Sequence, residues 1–449
     1  MEELTRAEEI VELALRLAEG DEADAFCILT DRSLTRFAES RLHQNMAERS
    51  ASLTIRVIVD GRSGVASTSS VDPDAIGRAA SLARDLATRG ERDPFFRGLH
   101  RSAARTSGDS FDKETATLSP LTKAESLVRI FDEGKREGIR FAGSWATGSS
   151  AVATGNSHGV RQSAPTTVSD ASFIALADGT SGFSTGISRT FRGTGVENLA
   201  REASHKALLS RGITAAIPTG AVTVILEPPA LAEIFERLNT IAFNGQSMID
   251  GSSFLSGNLG KPFLGENVSI VDDASEPELL PFPFDMEGLP KRRVALVERG
   301  VIRTPLVDRY AADRLGIEPT ASAASLGSGE HGIGLHLTMD GGGSSVEEMI
   351  AATERGVWIT RFHYLNGLLD PKIAMMTGMT RDGTFLIKDG RVAGRLPNLR
   401  WTQSIVEAFR SIAELGRQRR AVGTFWNPLG GTLLPAARIH GWKITGQSG

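Results

Sequence analysis

Few side chains in this 449-residue chain stand where their types and spacing could do chemistry. The stretch from Phe235 to Phe254, FERLNTIAFNGQSMIDGSSF, has the form of an enzyme scaffold. A short apolar strand at Val222 to Leu226 precedes it, and Leu231, Ile234, Phe235, Leu238, Ile241 and Ala242 recur at helical spacing. A turn-rich loop with Gly245, Gly251 and paired serines follows, the type of loop on which many enzymes mount catalytic groups. The helix itself shows no His, no Cys and no closely paired carboxylates, so the scaffold reads as bare.

Other constellations are scattered. Gly155-Asn156-Ser157-His158-Gly159 matches a nucleophile elbow, but that motif needs a helix directly after it, and Val160-Arg161-Gln162-Ser163-Ala164-Pro165 cannot start one; a hairpin turn is expected. Glu330-His331 and His336 are five apart, which suits neither a helix face nor a strand face for zinc. Gly341 to Ser345 could offer N–H groups to an anion but lacks the lysine of a P-loop, so a capped loop is expected, with Ser345 and Glu348 as a capping box. Asp272-Asp273 and the turn Phe284-Asp285-Met286-Glu287-Gly288 bring four carboxylates into two turns, where acid–base work and plain turn formation are both open. The densest polar and aromatic cluster is Arg361-Phe362-His363-Tyr364 with Asn366-Gly367. Arg361, His363, Tyr364 and Asn366, together with Asp285 and Glu287, are the candidates for lining a substrate cleft.

Composition bounds the rest. Hydrophobic residues make up 40%, charged ones 23%, and the net charge is -4, which suits an ordinary globular protein and gives no electrostatic reason for a nucleic-acid or membrane partner. The single cysteine, Cys27, lies in an apolar run, so no intrachain disulfide can form and a reducing, cytoplasmic compartment is expected. The opening MEELTRAEEIVELALRLAEG is acidic and amphipathic rather than a signal peptide, and no apolar run reaches the roughly 18 residues of a bilayer span.

The elements that must position these groups fall into an α+β arrangement. A helix with Ala7, Ile10, Val11, Ala14 and Leu17 on one face is followed by strands at 25–29, 34–38 and 53–59, an Asp60-Gly61 turn, and a helix opened by Asp72-Pro73. Residues 88–115 lose periodicity and read as a connector, with one docked turn near Phe95 and Phe96. The pattern then returns: a helix from Pro120, strands at 141–147, 151–154 and 171–177, and a helix from Val196 to Leu209. Asp60, Gly61, Ser63 and Gly64 recur as Asp178, Gly179, Ser181 and Gly182, so the two halves are read as copies of helix, antiparallel strands, helix. Repeats over 1–87 and 116–217 are expected, then a β-rich domain over 218–449. Its short strands are expected near 268–271, 294–297, 332–338, 357–362 and 384–387, and its helices at 309–315, 345–355 and 402–412.

The duplicated first half with DGRSG, the stretch FNGQSMIDGSSFLSGNLG, the IVDD and FDMEG turns, KRRVALVERGVI and TGM...DGTFLIKDGRV together resemble the TldD/PmbA family over nearly the whole chain. The resemblance implies two-subunit metalloproteases, a group that has also borne the name modulators of DNA gyrase. In the zinc-bearing branch a helix carries HExxxH. Laid without gaps on this chain, with Gly245, Gly251, Ser253 and Phe254 as anchors, the two histidines fall on Glu236 and Ile241 and the glutamate on Arg237. That branch also has a late cysteine ligand, whereas the comparable place here is Phe425-Trp426-Asn427-Pro428-Leu429-Gly430-Gly431.

The resemblance therefore favours the PmbA/TldE-like branch: a non-catalytic subunit with no metal or cofactor of its own. Zinc is expected in a TldD-like partner, or the chain pairs with a second copy of itself. Extended or unfolded peptides are the implied substrate, taken by strand addition to a sheet edge. Two alternatives stand beside this. One is a peptidase active alone through His331, His336 or His363; the other is a non-proteolytic regulatory protein of the gyrase-modulator type.

Overall fold

The computed structural model describes residues 2–447 apart from 107, 109, 210, 212, 213, 328 and 424–428. The first half is built twice. In the first copy α1 (Glu2–Leu17) leads into β1 (Glu22–Ala38), β2 (Arg41–Val59), β3 (Arg62–Thr68) and α2 (Pro73–Arg89). A short α3 (Lys113–Ala116) ends the connector. The second copy is α4 (Pro120–Arg136), β4 (Arg140–Asn156), β5 (Arg161–Ala177), β6 (Thr180–Ser188), a one-turn α5 (Phe191–Thr194) and α6 (Val196–Leu209). The six strands form one antiparallel sheet in the order β3-β2-β1-β4-β5-β6, so the two copies meet where β1 pairs with β4.

Sequence chemistry explains the duplication turn by turn. Asp72 accepts the Ala75 N–H and Ser119 accepts the Thr122 N–H, each with proline at the first helical position, so α2, which closes the first copy, and α4, which opens the second, begin on the same signal without being equivalent helices. Asp60 and Asp178 have φ of 49° and 47°, and Gly61 and Gly179 have φ of 71° and 76°, the left-handed pair that closes a two-residue hairpin. Gly64 and Gly182 let a helix backbone rest directly on the sheet. A Cβ at Gly64 would lie 2.0 Å from the Ala83 carbonyl oxygen, and one at Gly182 would lie 2.2 Å from that of Ala203.

The helices cover one face of this sheet. Ala25, Cys27, Leu53 and Ile55 pack against α1 and α2, and Phe141, Trp145 and Phe173 pack against α4 and α6. On the other face Phe26, Val152 and Ala164 meet Phe282, Phe284 and Leu326 of the second domain. At that junction the Arg56 guanidinium donates to Asp24 at 2.5 Å and to Glu287 at 3.1 Å, all three side chains being buried.

The second half contains β7 (Gly220–Leu226), α7 (Pro228–Ile241), α8 (Gly245–Ile249), β8 (Ile270–Asp272), β9 (Val294–Glu298), β10 (Val301–Ile302), α9 (Arg309–Leu315), β11 (His336–Met339) and α10 (Val346–Ala351). It continues through β12 (Arg355–Asp370), β13 (Met375–Lys388), β14 (Arg391–Arg395), β15 (Leu399–Ser404), α11 (Ile405–Arg410), β16 (Ile412–Gly423) and β17 (Gly431–Gln447). Because β7 pairs with β12 on one side and β17 on the other, strands β7, β12, β13, β15 and β17 close into a barrel. Phe362, Trp401 and Trp442 meet within it at ring-centroid distances of 4.7, 4.8 and 5.8 Å. Among the described residues no helix is long and apolar enough to cross a membrane.

Several expected boundaries are corrected. The strands read at 25–29 and 34–38 are one strand, β1, whose polar Asp31-Arg32-Ser33 still pairs on both sides with β2 and β4. The helix expected over 402–412 is β15 followed by the shorter α11, and the strand expected over 332–338 begins only at His336. Strands β14 to β17 have no counterpart among the expected elements. The duplicated packing yields a direct test: Gly64→Ala or Gly182→Ala forces its helix off the sheet, and a loss of about 1–3 kcal/mol in urea unfolding is expected from overpacking.

Candidate functional site

The position of α7 is set at its first residue. Glu227 occupies the N-cap without making a side-chain cap bond. Its buried carboxylate instead accepts from Lys206 Nζ at 2.5 Å and from Trp358 Nε1 at 2.9 Å, which ties α7 to α6 of the second repeat and to β12. Leu231, Ile234, Phe235 and Leu238 then face the core of the second domain. At the other end, Asn239 holds both backbone groups of Gly334: Nδ2 donates to the carbonyl at 2.8 Å, and the Gly334 N–H donates to Oδ1 at 2.9 Å. The glycine loop is bound back to the helix in the same way, with Asn244 Nδ2 donating to the carbonyls of Asn239 and Thr240 and Ser253 Oγ donating to that of Ala242.

Between the second half of α7, the loop around 330–335 and the outer part of β12 lies a cavity of about 750 Å³. Glu236, Arg237 and Ile241 line it from the helix; Tyr364, Asn366 and Leu368 line it from the strand. The two walls touch at Gly367, where a Cβ would stand 3.3 Å from Arg237 Cβ and 3.3 Å from Ile241 Cδ1. β7 pairs with β12 only from Gly356 to Ile359, so beyond Ile359 no strand among the described residues covers the α7 side of β12. There Glu233 faces the Phe362 backbone. The stretch that follows is irregular, with register shifts against β13 between His363 and Asn366 and again between Asn366 and Asp370. Tyr364 is 80% exposed and Leu368 75%.

The helix is less bare than its sequence suggests. Glu233 and Glu236 lie one turn apart, and burial together with the charge of Glu236 pushes Glu233 up to about 7 despite the pull of Arg361. That carboxylate pair corrects the expectation of a helix without one; its spacing of three is visible in the sequence, but only α7's packing shows that both residues sit beside β12.

The candidate cleft residues separate. Tyr364 and Asn366 share the cavity with Glu236, Arg237 and Ile241. Arg361 belongs to the same strand but pairs with Asp382 and lies 4.1 Å over the Phe183 ring, towards the first domain. His363 is exposed, with its pKa lowered by burial and by Arg381 and Arg361. Asp285 and Glu287 lie elsewhere, buried at the junction with the first sheet, so they do not line this cavity. Burial and the neighbouring Glu287 push Asp285 up to about 7, while Glu287, which burial alone would raise, is held at about 2 by His100 and Arg56. The hydrophobic enclosure of this pair is assembled from distant segments, which is why the local sequence shows none.

The remaining motifs resolve as structure. Asn156 Oδ1 accepts the N–H groups of His158 and Val160 in a tight turn, and His158 contacts Glu22 rather than Ser157. The capping box of Ser345 and Glu348 is present. His331 Nδ1 pairs with Asp308 at 2.8 Å, whereas His336 is fully buried with Nε2 donating to the Leu280 carbonyl. Among the described residues no group of three His, Cys, Asp or Glu side chains could hold a metal ion. Residues 425–428, within the place comparable to the late cysteine ligand, lie outside the described residues.

Two measurements check this arrangement. Asn239→Ala leaves both backbone groups of Gly334 unpaired, so a loss of about 1–3 kcal/mol is expected in urea unfolding, with faster amide exchange at Gly334. Burial lowers His336 to about 4 from the usual 6.5, so the unfolded chain takes this proton first and the stability tied to a neutral His336 falls as pH drops from about 6.5 to about 4. The slope of stability against pH in that window is expected to shrink in a His336→Gln chain.

Comparison with known proteins fits this geometry. A family model described as the PmbA/TldA metallopeptidase C-terminal domain matches residues 219–446, and one described as domain 1 of that group matches residues 23–87. Metalloprotease PmbA of Escherichia coli is 25% identical over 97% of this chain and 96% of its own length. A metalloprotease of Methanothermobacter thermautotrophicus is 27% identical, but that match spans only 50% of this chain and 49% of the relative. The crystal structure of TldE from Thermococcus kodakarensis superposes with a TM-score of 0.85 at 21% identity, covering 98% of this chain and 99% of that one. A Thermotoga maritima structure described as a modulator of DNA gyrase gives 0.82 at 20%, covering 98% and 100%; both likenesses establish the fold. By the family model that spans its second half, this chain belongs to the PmbA/TldD metallopeptidase family.

Proposed function

We propose that this chain is the non-catalytic member of a metallopeptidase pair: it receives extended or unfolded peptide in the cavity beside α7, and a zinc-bearing relative supplies the metal. The observation that carries this reading is the wall formed by Glu236, Arg237 and Ile241. These residues do not fit zinc. A guanidinium stays protonated and has no lone pair to give, an isoleucine has no donor atom, and the carboxylate of Glu236, even with Glu233 one turn away, falls short of the three protein ligands of a catalytic zinc site. No catalytic step is therefore assigned to a metal in this chain.

Peptide binding is supported by β12. From Tyr364 to Leu368 its edge borders the cavity without a neighbouring strand on the α7 side, and an extended chain can pair with such an edge through backbone groups while tolerating many side chains. The relatives named metalloproteases point to the same substrate class. A cytoplasmic setting accords with Cys27, whose thiol is buried and pushed up to about 12.

The test uses the purified full chain alone and mixed with a co-purifying homologue that carries HExxxH. Expected are substoichiometric zinc by elemental analysis, no cleavage of unfolded casein by the chain alone, and cleavage by the mixture. One tightly held zinc per chain with casein cleavage by the chain alone would overturn the reading.

A further inference from the structure

Among the described residues that line the cavity, Arg237 is a cation without a close ionic partner. Arg237 lines the cavity from α7, with its stem against Gly367 of β12. Among the described residues no carboxylate comes within 4.0 Å of its guanidinium and no hydrogen bond leaves its side chain, although Arg49, Arg56, Arg361 and Arg420 all have such partners. The acidic neighbour one turn earlier on the same face, Glu233, feels the charge of Arg237 from beyond ion-pair distance, more weakly than that of Arg361, and its raised pKa leaves it only partly charged near neutrality. Glu236 has an interaction of its own, and Glu330, half-buried, lines the cavity from the loop with no carboxylate oxygen within 4.0 Å of the guanidinium. The rest of the lining is mixed: Ile241, Ile333, Leu335, Leu365 and Leu368 supply an apolar part, and Asn239, Thr240, Tyr364 and Asn366 a neutral polar part.

We propose that Arg237 reads the terminal α-carboxylate of the bound peptide, so that the cavity selects chain ends with an apolar last residue over internal segments. This rests on the peptide-binding reading above and gives it a direction: the peptide pairs with the β12 edge and its C-terminus reaches the helix. A guanidinium presents a planar fork of donors that matches a carboxylate in two parallel hydrogen bonds, and such charge-assisted pairs are roughly twice as strong as neutral ones. The apolar part of the wall lowers the local dielectric and so strengthens the pair, and a leucine or isoleucine side chain beside the carboxylate suits Ile241, Ile333, Leu335 and Leu365. An internal segment offers only neutral amides at that point and leaves the guanidinium without an ionic partner.

The test is titration of the full chain with a peptide of alternating Val and Thr ending in Leu, dye-labelled on an internal lysine, in three forms: free, C-amidated and N-acetylated. The expected result is that amidation weakens binding by on the order of tenfold while acetylation does not, since a charged pair is replaced by a neutral contact. In Arg237→Gln the free and amidated forms should bind alike, at the affinity the amidated form has for the unaltered chain, and Arg237→Lys should keep part of the preference. Urea midpoints of both variants establish that they fold. Equal binding of free and amidated peptide by the unaltered chain overturns the proposal, as does weakening by acetylation instead, which would assign the recognition to the amino end and the cavity's carboxylates. Absence of binding by all three forms overturns the peptide-binding reading itself.

Discussion

The ion pair between Lys206 and Glu227 fixes the rest of the functional architecture. Both side chains are almost completely withdrawn from water, at 2% and 6% exposure, and they come from different domains. Removing two charges from water is expensive, and the attraction recovers that cost only when further hydrogen bonds complete the shell. Here they do: Lys206 also meets Glu202 and the Phe183 carbonyl, Trp358 donates to Glu227, and Arg420 balances Glu202. A helix start defined by such a network has little freedom to shift. The Arg56 junction with Asp24 and Glu287 does the same on the other repeat, so both copies of the duplicated half are anchored to the second domain by buried ions.

This division of labour explains where charges are satisfied and where they are not. At the domain junction nearly every buried ion has a partner from a distant segment. Along the cavity the pairing loosens: Arg237 lacks a close ionic partner among the described residues, and the β12 wall breaks register twice over a few residues. Regions of a fold with fewer satisfied groups and irregular pairing are where binding is usually placed, because a ligand can complete them.

Much of the first half is legible from its residues. Asp60-Gly61 and Asp178-Gly179 announce hairpins, Asp72-Pro73 and Ser119-Pro120 announce helices, and the common spacing exposes the repeat. The errors have physical causes. Asp31-Arg32-Ser33 looks like a break, yet an interior strand can carry polar residues when both edges are paired and its faces reach solvent. β17 is hidden because Pro435 and Gly441 interrupt its pattern and its barrel partner β7 lies far away in the chain. For the site, the resemblance locates Glu236, Arg237 and Ile241, and the polar cluster locates Tyr364 and Asn366. The convergence of these two groups across Gly367 is a tertiary fact that no local pattern contains. Asp285 and Glu287 show the reverse: their turn chemistry is visible in the sequence, but their enclosure by Arg56, His100 and the first sheet is not.

The barrel closure bears on how the molecule comes into being. β7 leaves the first domain and is the first strand of the barrel to be synthesised, while its partner β17 is the last. During translation β7 must wait, with both edges open until β12 emerges and one open until β17 does. Contacts this far apart in sequence are slow to form and leave aggregation-prone edges in the interval. The duplicated first half faces no such delay, since its strands pair with near neighbours and its central β1–β4 contact is complete well before β7 appears. The order of synthesis therefore gives the late-closing barrel an already formed partner bearing Lys206, against which α7 can dock while it waits for its final strand.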